Sequence, residues 1–266
     1  MSVFRFVTVV ACAAFFPGCI NSTSLVKVKP DGSGIIEQTL LVNTAAVKGL
    51  MAGMGGQGQI KESGGVLNEA EFKRSAERMG VRPVSLTPMK EGGFEGAKAV
   101  YAFDDITKVR VDQDPPMGSP SGATVKPTST TTPIKFAFTK QGGSSVLTVM
   151  VDEKTAAPGT KSSSPTAPDK IDPAMMQMIK NMFQGFKVLI DIEVDGKIVK
   201  TNADYVNGSK VTLLELDMQQ LFENEAALAA LQSKVGPGAT IADVRPYLKD
   251  VKGVKINNPT VTIEFR

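Results

Sequence analysis

The two cysteines of this chain restrict its fold more than any other feature. Cys12 and Cys19 both lie close to the N-terminus, and no cysteine follows them up to Arg266. The residues after Cys19 therefore form no internal disulfide. Residues 19–266 are enough for one large domain or two small ones, and such a fold must be stabilised by its hydrophobic core alone.

A short apolar run precedes Cys19. It covers 11 residues, from Phe6 to Phe16, and follows the basic residue Arg5. A transmembrane helix needs about 20 apolar residues, so this run is too short to span a bilayer and is typical of a cleaved secretory signal. A buried N-terminal strand is the alternative, but residues 12–16 do not alternate between polar and apolar side chains.

The tetrapeptide Phe16-Pro17-Gly18-Cys19 resembles the lipobox of bacterial envelope lipoproteins, in which Leu, a small residue and Gly or Ala precede the cysteine. Gly18 and Cys19 match this pattern, whereas Phe16 and Pro17 depart from it. The resemblance implies a signal peptide at residues 1–18, lipidation (palmitate) at Cys19 and a lipidated tether at 19–23. It places the protein in the cell envelope. Because residue 20 is Ile and not Asp, sorting rules by analogy favour the outer membrane, facing the periplasm.

The composition excludes several classes of function. The chain has no His and no Trp, and its formal net charge is only +3. Ser-His-Asp, Cys-His and zinc chemistry are therefore excluded once Cys19 is acylated. A net charge this small does not indicate a nucleic-acid-binding surface. We expect no enzyme, no cofactor and no metal site, although paired-carboxylate or Ser-Lys catalysis stays open.

Alternating apolar residues and glycine turns predict three hairpins, at residues 24–43, 81–103 and 134–151. Between and after them, segments 112–131 and 155–170 are rich in Pro, Ser, Thr and Gly, and we expect both to be flexible. The sequence favours a single domain over residues 24–266. Two domains joined by a linker remain the alternative.

Helical spacing predicts further elements. One helix begins near Thr44 and a second, capped by Asn68, extends to Met79. A Met-rich helix covers residues 174–186, and shorter helices follow strand 210–216. Fold class is thus predicted as α+β, with a mainly antiparallel sheet and several packed helices.

A hairpin is also predicted around Asp195-Gly196. It pairs strand 187–194 with strand 197–201 and sets Ile192 opposite Val199. Its outer face carries an acidic row, which could hold a divalent cation or could be a solvated strand face. These residues are Asp191, Glu193 and Asp195.

Residues 192–215 resemble a motif of LppM-type envelope lipoproteins. The matching residues are Gly196-Lys197-Ile198-Val199, Thr201-Asn202-Ala203 and Asn207 to Leu213. The chain lacks the Pro before the glycine and the Trp of the later strand. The resemblance implies an α+β, lipid-binding-like fold with a hydrophobic groove.

Two hypotheses of function follow. The first is a non-catalytic, membrane-anchored interaction or structural module with an envelope partner. The second is a carrier or sensor of an apolar or lipid ligand, bound between the sheet and the Met-rich helices. Its groove residues are Met51, Met54, Met175, Met178, Met182 and Phe186. Core filling is the alternative role for these methionines.

Overall fold

A computed structural model describes residues 20–44, 68–111, 133–151, 180, 185–234 and 241–266. Across these residues the chain is mostly β-sheet, with four short helices. The predicted class, α+β with several packed helices, is therefore wrong. The segments predicted to be flexible, 112–131 and 155–170, lie outside the described residues, as do most of the predicted helices at 44–54 and 174–186.

The described strands and helices keep the following bounds. The strands are β1 (Ile20–Val28), β2 (Gly34–Asn43), β3 (Arg82–Glu91), β4 (Phe94–Phe103), β5 (Arg110–Val111), β6 (Ile134–Gln141), β7 (Ser144–Met150), β8 (Lys187–Val194), β9 (Ile198–Thr201), β10 (Val206–Asn207), β11 (Lys210–Asp217), β12 (Val254–Ile256) and β13 (Thr260–Phe265). The helices are α1 (Glu69–Met79), α2 (Met218–Glu223), α3 (Glu225–Lys234) and α4 (Ile241–Leu248), and a short 3-10 turn covers Ile106–Lys108.

The strands form two sheets. Sheet 1 has eight strands in the order β10-β11-β8-β1-β2-β4-β3, with β12 also paired to β11. Its middle strand, β1, runs antiparallel to β2 and parallel to β8. Sheet 2 has five strands in the order β5-β6-β7-β13-β9. The N-terminal strand is thus at the centre of the larger sheet.

One face of sheet 1 carries a continuous apolar row across five strands. The strand registers align Tyr101 with Ile36, Ile36 with Val26, Val26 with Ile192 and Ile192 with Val211. Each of these side chains is at most 1% exposed. They belong to the same buried cluster as residues from sheet 2, including Leu147, Val149, Val261, Ile263 and Phe265.

This shared core explains why the predicted fold class is wrong. Alternation along a strand shows that one face is buried, but it does not say whether a helix or another sheet covers that face. Here much of the covering layer is sheet 2, so the two inner faces pack as in a sandwich. Helix α1 covers another part of the row, where the Phe72 and Tyr101 ring centroids lie 4.9 Å apart.

The predicted hairpin at Asp195-Gly196 is also wrong. Strand β8 pairs with β1 and β11 in sheet 1, whereas β9 pairs with β13 in sheet 2. The chain therefore changes sheets at Gly196, whose φ is 153°. A Cβ at this position would lie 2.7 Å from the carbonyl oxygen of Arg266, so only glycine fits the corner.

The predicted Asn68 cap is confirmed. The Asn68 side chain accepts a hydrogen bond from the Glu71 amide at 2.9 Å at the start of α1. Asn224 does the same for the Ala227 amide at 3.0 Å at the start of α3. Helices α2, α3 and α4 share a smaller apolar cluster with the end of β11 and β12, which includes Leu221, Ala227, Leu248, Val251 and Val254.

Candidate functional site

Most site residues expected from the sequence lie outside the described residues. These are Cys19, Met51, Met54, Met175, Met178 and Met182. Phe186 is described: it is partly buried just before β8, and its carbonyl oxygen accepts a hydrogen bond from the Met218 amide at 3.0 Å. The lipidation site and the apolar groove therefore stay predictions.

The start of β1 bears directly on the expected tether. Ile20 already pairs with Val42, and from Asn21 the strand is paired on both sides, with Leu41 and with Lys187. Residues 20–23, assigned to a tether from the sequence, are therefore the first residues of the central strand. Cys19 directly precedes Ile20 in the sequence, so no residue lies between the predicted lipidation site and this strand.

Several strands start or stop at the same end of sheet 1. We call this surface the N-terminal end of sheet 1. Phe94 pairs with Asn43 and with Glu91, and Lys187 pairs with Asn21 and Asp217, so these residues share an end with Ile20. Its partly buried apolar side chains are Ile20, Phe94, Phe186 and Met218. This end therefore combines apolar surface with polar strand termini.

Two lysines at this end have carboxylate neighbours. Lys90 Nζ lies 2.9 Å from Glu95 Oε1, and both side chains are exposed. Lys187 Nζ lies 4.0 Å from Glu215 Oε1, and the other carboxylate oxygen of Glu215 lies 2.7 Å from Lys255 Nζ. The N-terminal end of sheet 1 thus presents charged groups of both signs.

The face of sheet 1 opposite the apolar row is lined with ion pairs. Glu37 is at its centre: its two carboxylate oxygens lie 2.7 Å from Lys27 Nζ and 2.6 Å from Lys98 Nζ. Hydrogen bonds from Lys27 and Lys98 lower the pKa of Glu37 below its ordinary value. The same bond to Glu37 raises the pKa of Lys27. These charges therefore neutralise one another across the strands.

The acidic row expected on β8 joins this network. Asp191 is almost fully buried, and its Oδ2 lies 3.7 Å from Lys210 Nζ. Its Oδ1 is buried and has no hydrogen-bond partner among the described residues. Glu193 raises the pKa of Lys27 by charge attraction. Within the described ranges, no group of three or more His, Cys, Asp or Glu side chains could hold a metal ion.

Tyr101 is the other buried polar group without a partner. Its hydroxyl makes no hydrogen bond within the described part of the chain. Burial raises the pKa of Tyr101 to about 12, and the nearby Ser75 side chain opposes this shift. The phenol therefore stays protonated at neutral pH and serves as a core side chain beneath α1.

Three asparagines that the sequence analysis did not single out for this role bond the two segments, 202–205 and 257–259, by which the chain passes between the sheets. Asn257 donates to the Thr212 carbonyl at 3.1 Å and accepts from the Asp204 amide at 3.2 Å. Asn202 accepts from the Thr262 amide at 2.7 Å, and Asn258 donates to the Asn202 carbonyl at 3.2 Å. Asn202 belongs to the stretch that resembles LppM-type proteins. In the sequence, the run Asn257-Asn258-Pro259 was the signal that could have indicated these residues, because Asn and Pro are typical of turns.

None of the described helices is long and apolar enough to cross a membrane.

Among known proteins, the chain is similar to a distant structural neighbour. No known protein family and no curated protein sequence matches the chain. Among solved structures, the chain is similar to the folded domain of the Mycobacterium tuberculosis LppM protein, determined by NMR, with a TM-score of 0.37 and 12% identity. The match covers 95% of this chain and 92% of that chain. This similarity is too low to assign a family.

Proposed function

We propose that this chain is a non-catalytic, lipid-anchored protein of the cell envelope, whose two-sheet domain serves as an interaction or structural module. One observation carries the proposal. The central strand of the fold begins at Ile20, the residue that follows the lipobox-like cysteine. Cleavage before Cys19 would therefore remove no described strand or helix and would leave the lipid attached directly to the sheet.

The ionisable groups of sheet 1 support a non-catalytic role. Glu37, Asp191 and Glu215 each have at least one lysine within ion-pair distance. A general acid or base needs a pKa near the working pH, but the pKa of Glu37 is lowered and that of Tyr101 is raised to about 12. These groups are arranged to hold strands together.

The anchor determines where the module works. Each buried methylene of an acyl chain contributes about 0.8 kcal/mol, so two or more chains hold a protein on a membrane almost irreversibly, whereas one exchanges. We place the anchor in the outer membrane, facing the periplasm, because Ile20 follows Cys19 where an inner-membrane protein would carry Asp by analogy with sorting rules. An envelope protein is the expected partner.

Mass spectrometry of the N-terminus, after expression in a bacterium that processes lipoproteins, tests the proposal. We expect a chain that begins at Cys19 and carries acyl groups. Cys19→Ser should leave the thermal melt of the domain unchanged but release the protein from membranes or stop its processing. Cys12→Ser is the matched control and should be processed normally. A chain that starts elsewhere, or an unmodified Cys19, would contradict the proposal.

A further inference from the structure

The attachment of β1 leaves almost no free chain between a lipidated Cys19 and the sheet. Ile20 is paired with Val42, and Asn21 is held by neighbours on both sides, Leu41 and Lys187. A flexible linker of n residues spans roughly 5–6 Å × √n, but here no residue is left to form one. The position of the lipid therefore fixes the position of the end of sheet 1.

The side chains at this end suit a lipid surface. Ile20, Phe94 and Phe186 are partly exposed apolar groups at or beside the ends of their strands. Lys90 and Lys187 lie beside them, and long lysine side chains place their charge at an interface while their methylenes cover apolar surface. Each lysine has a carboxylate neighbour, so this end has little net attraction for anionic lipids.

From this geometry we infer that the N-terminal end of sheet 1 is the membrane-proximal surface, resting on the lipid headgroup layer with the strands directed away from the bilayer. The inference rests on the proposed lipidation of Cys19. The direct attachment, and not charge, sets this orientation, because each of the two lysines at this end has a carboxylate neighbour.

The opposite end of the molecule is then the surface presented to a partner. The Pro30 carbonyl in the β1–β2 turn accepts a hydrogen bond from Ser145 Oγ at 2.8 Å, which places the β6–β7 turn at this far end. Strand β1 has nine residues, and at about 3.3 Å per residue it separates the two ends by roughly 26 Å.

Two matched turns allow the orientation to be measured. Glu91 precedes Gly92-Gly93 at the N-terminal end of sheet 1, and Gln141 precedes Gly142-Gly143 at the far end; both side chains are exposed. Glu91→Cys and Gln141→Cys each introduce the only free thiol of an acylated mature chain. Each lipidated variant is labelled with a fluorophore and placed in phosphatidylethanolamine–phosphatidylglycerol vesicles that contain a headgroup-attached quencher.

We expect quenching at position 91 to exceed that at position 141 by about threefold or more, since roughly 26 Å separate the two ends. The difference should persist at high salt. Equal quenching, or stronger quenching at position 141, would overturn the inference about orientation. Neither result would contradict the proposed acylation of Cys19. Thermal melts matching that of the unsubstituted protein confirm that both variants are folded.

A linker variant tests the cause of the orientation. About ten Gly and Ser residues inserted between Cys19 and Ile20 give a flexible reach of roughly 17 Å, so the quenching difference should largely disappear. A difference that persists with the linker would overturn direct attachment as its cause. Mass spectrometry separates the two proposals: an unmodified Cys19 overturns the proposed function together with this inference.

Discussion

The carboxylate of Glu37 lies 2.6 Å from the ammonium group of Lys98, across the β2–β4 pair. Lys27 reaches the other carboxylate oxygen from β1, so one acidic side chain links three neighbouring strands. The Glu37 side chain is only 19% exposed, whereas the Lys90–Glu95 pair at the turn is largely in solvent. The two sites allow a direct comparison of ion pairs on one sheet.

Glu37→Gln should lower the free energy of unfolding by about 1 kcal/mol at neutral pH, because it removes two charge-assisted hydrogen bonds from a partly buried group. Since the folded pKa of Glu37 is lowered from 4.5, its contribution is present above pH 4.5 and is lost as the pH falls through the folded pKa. Denaturant unfolding at a series of pH values measures both effects.

The control for this variant is Glu95→Gln, which should change stability by less than about 0.5 kcal/mol because its pair is exposed. Equal losses in the two variants would show that the bonds of Glu37 contribute no more than an ordinary surface pair.

Ile192→Ala should cost about 2–5 kcal/mol, because it opens a cavity in the middle of the apolar row. Val199→Ala is the matched control: Val199 is 48% exposed on β9, and its truncation should change stability by less than about 0.5 kcal/mol. Thermal and urea unfolding give both values. Similar losses would contradict the finding that β8 and β9 lie in different sheets with different burial.

Gly196→Ala should destabilise the fold by more than about 2 kcal/mol, since the new methyl group would meet the Arg266 carbonyl where the chain changes sheets. Gly208→Ala is the comparison, because Gly208 has a φ of 62° but nothing within 4 Å of an added Cβ. It should cost about 1 kcal/mol from backbone strain alone. A smaller loss at Gly196 than at Gly208 would contradict the close packing of this corner.

Asn257→Ala should lower the free energy of unfolding by about 2 kcal/mol, because the side chain of Asn257 is almost fully buried and bonds both the Asp204 amide and the Thr212 carbonyl. Asn258→Ala removes a more exposed bond to the Asn202 carbonyl and should cost about 0.5 kcal/mol. Chemical denaturation of both variants tests this difference. Losses of equal size would show that the buried Asn257 contributes no more to stability than the more exposed Asn258.

Local features of the fold could be predicted from the sequence. The turns at Asp31–Gly34, Gly92-Gly93 and Gly142-Gly143 join antiparallel strands as their glycines indicated. The Asn68 cap is also confirmed. In each case the signal lies within a few neighbouring residues, because a turn or cap depends on local backbone conformation and hydrogen bonds.

Long-range partners could not be predicted. The Asp195-Gly196 pair indicated a reversal, but nothing local distinguishes a tight hairpin from a corner at which the next strand joins another sheet. The parallel pairing of Val26 with Ile192 likewise depends on residues far apart in the chain. The expected lipid site at Cys19 and the methionine groove lie outside the described residues, so the structure leaves them as sequence-based predictions.

The central position of β1 also affects the order in which the protein acquires its structure. A chain exported N-terminus first delivers β1 at once, but its parallel neighbour, β8, follows only after most of the chain has crossed. Until Lys187–Val194 arrives, one edge of β1 has open hydrogen-bonding groups that invite wrong pairing. Contacts of such long separation also form slowly. An anchored chain would therefore complete its largest sheet late in export, so a factor that shields the unfinished edge would raise its folding yield.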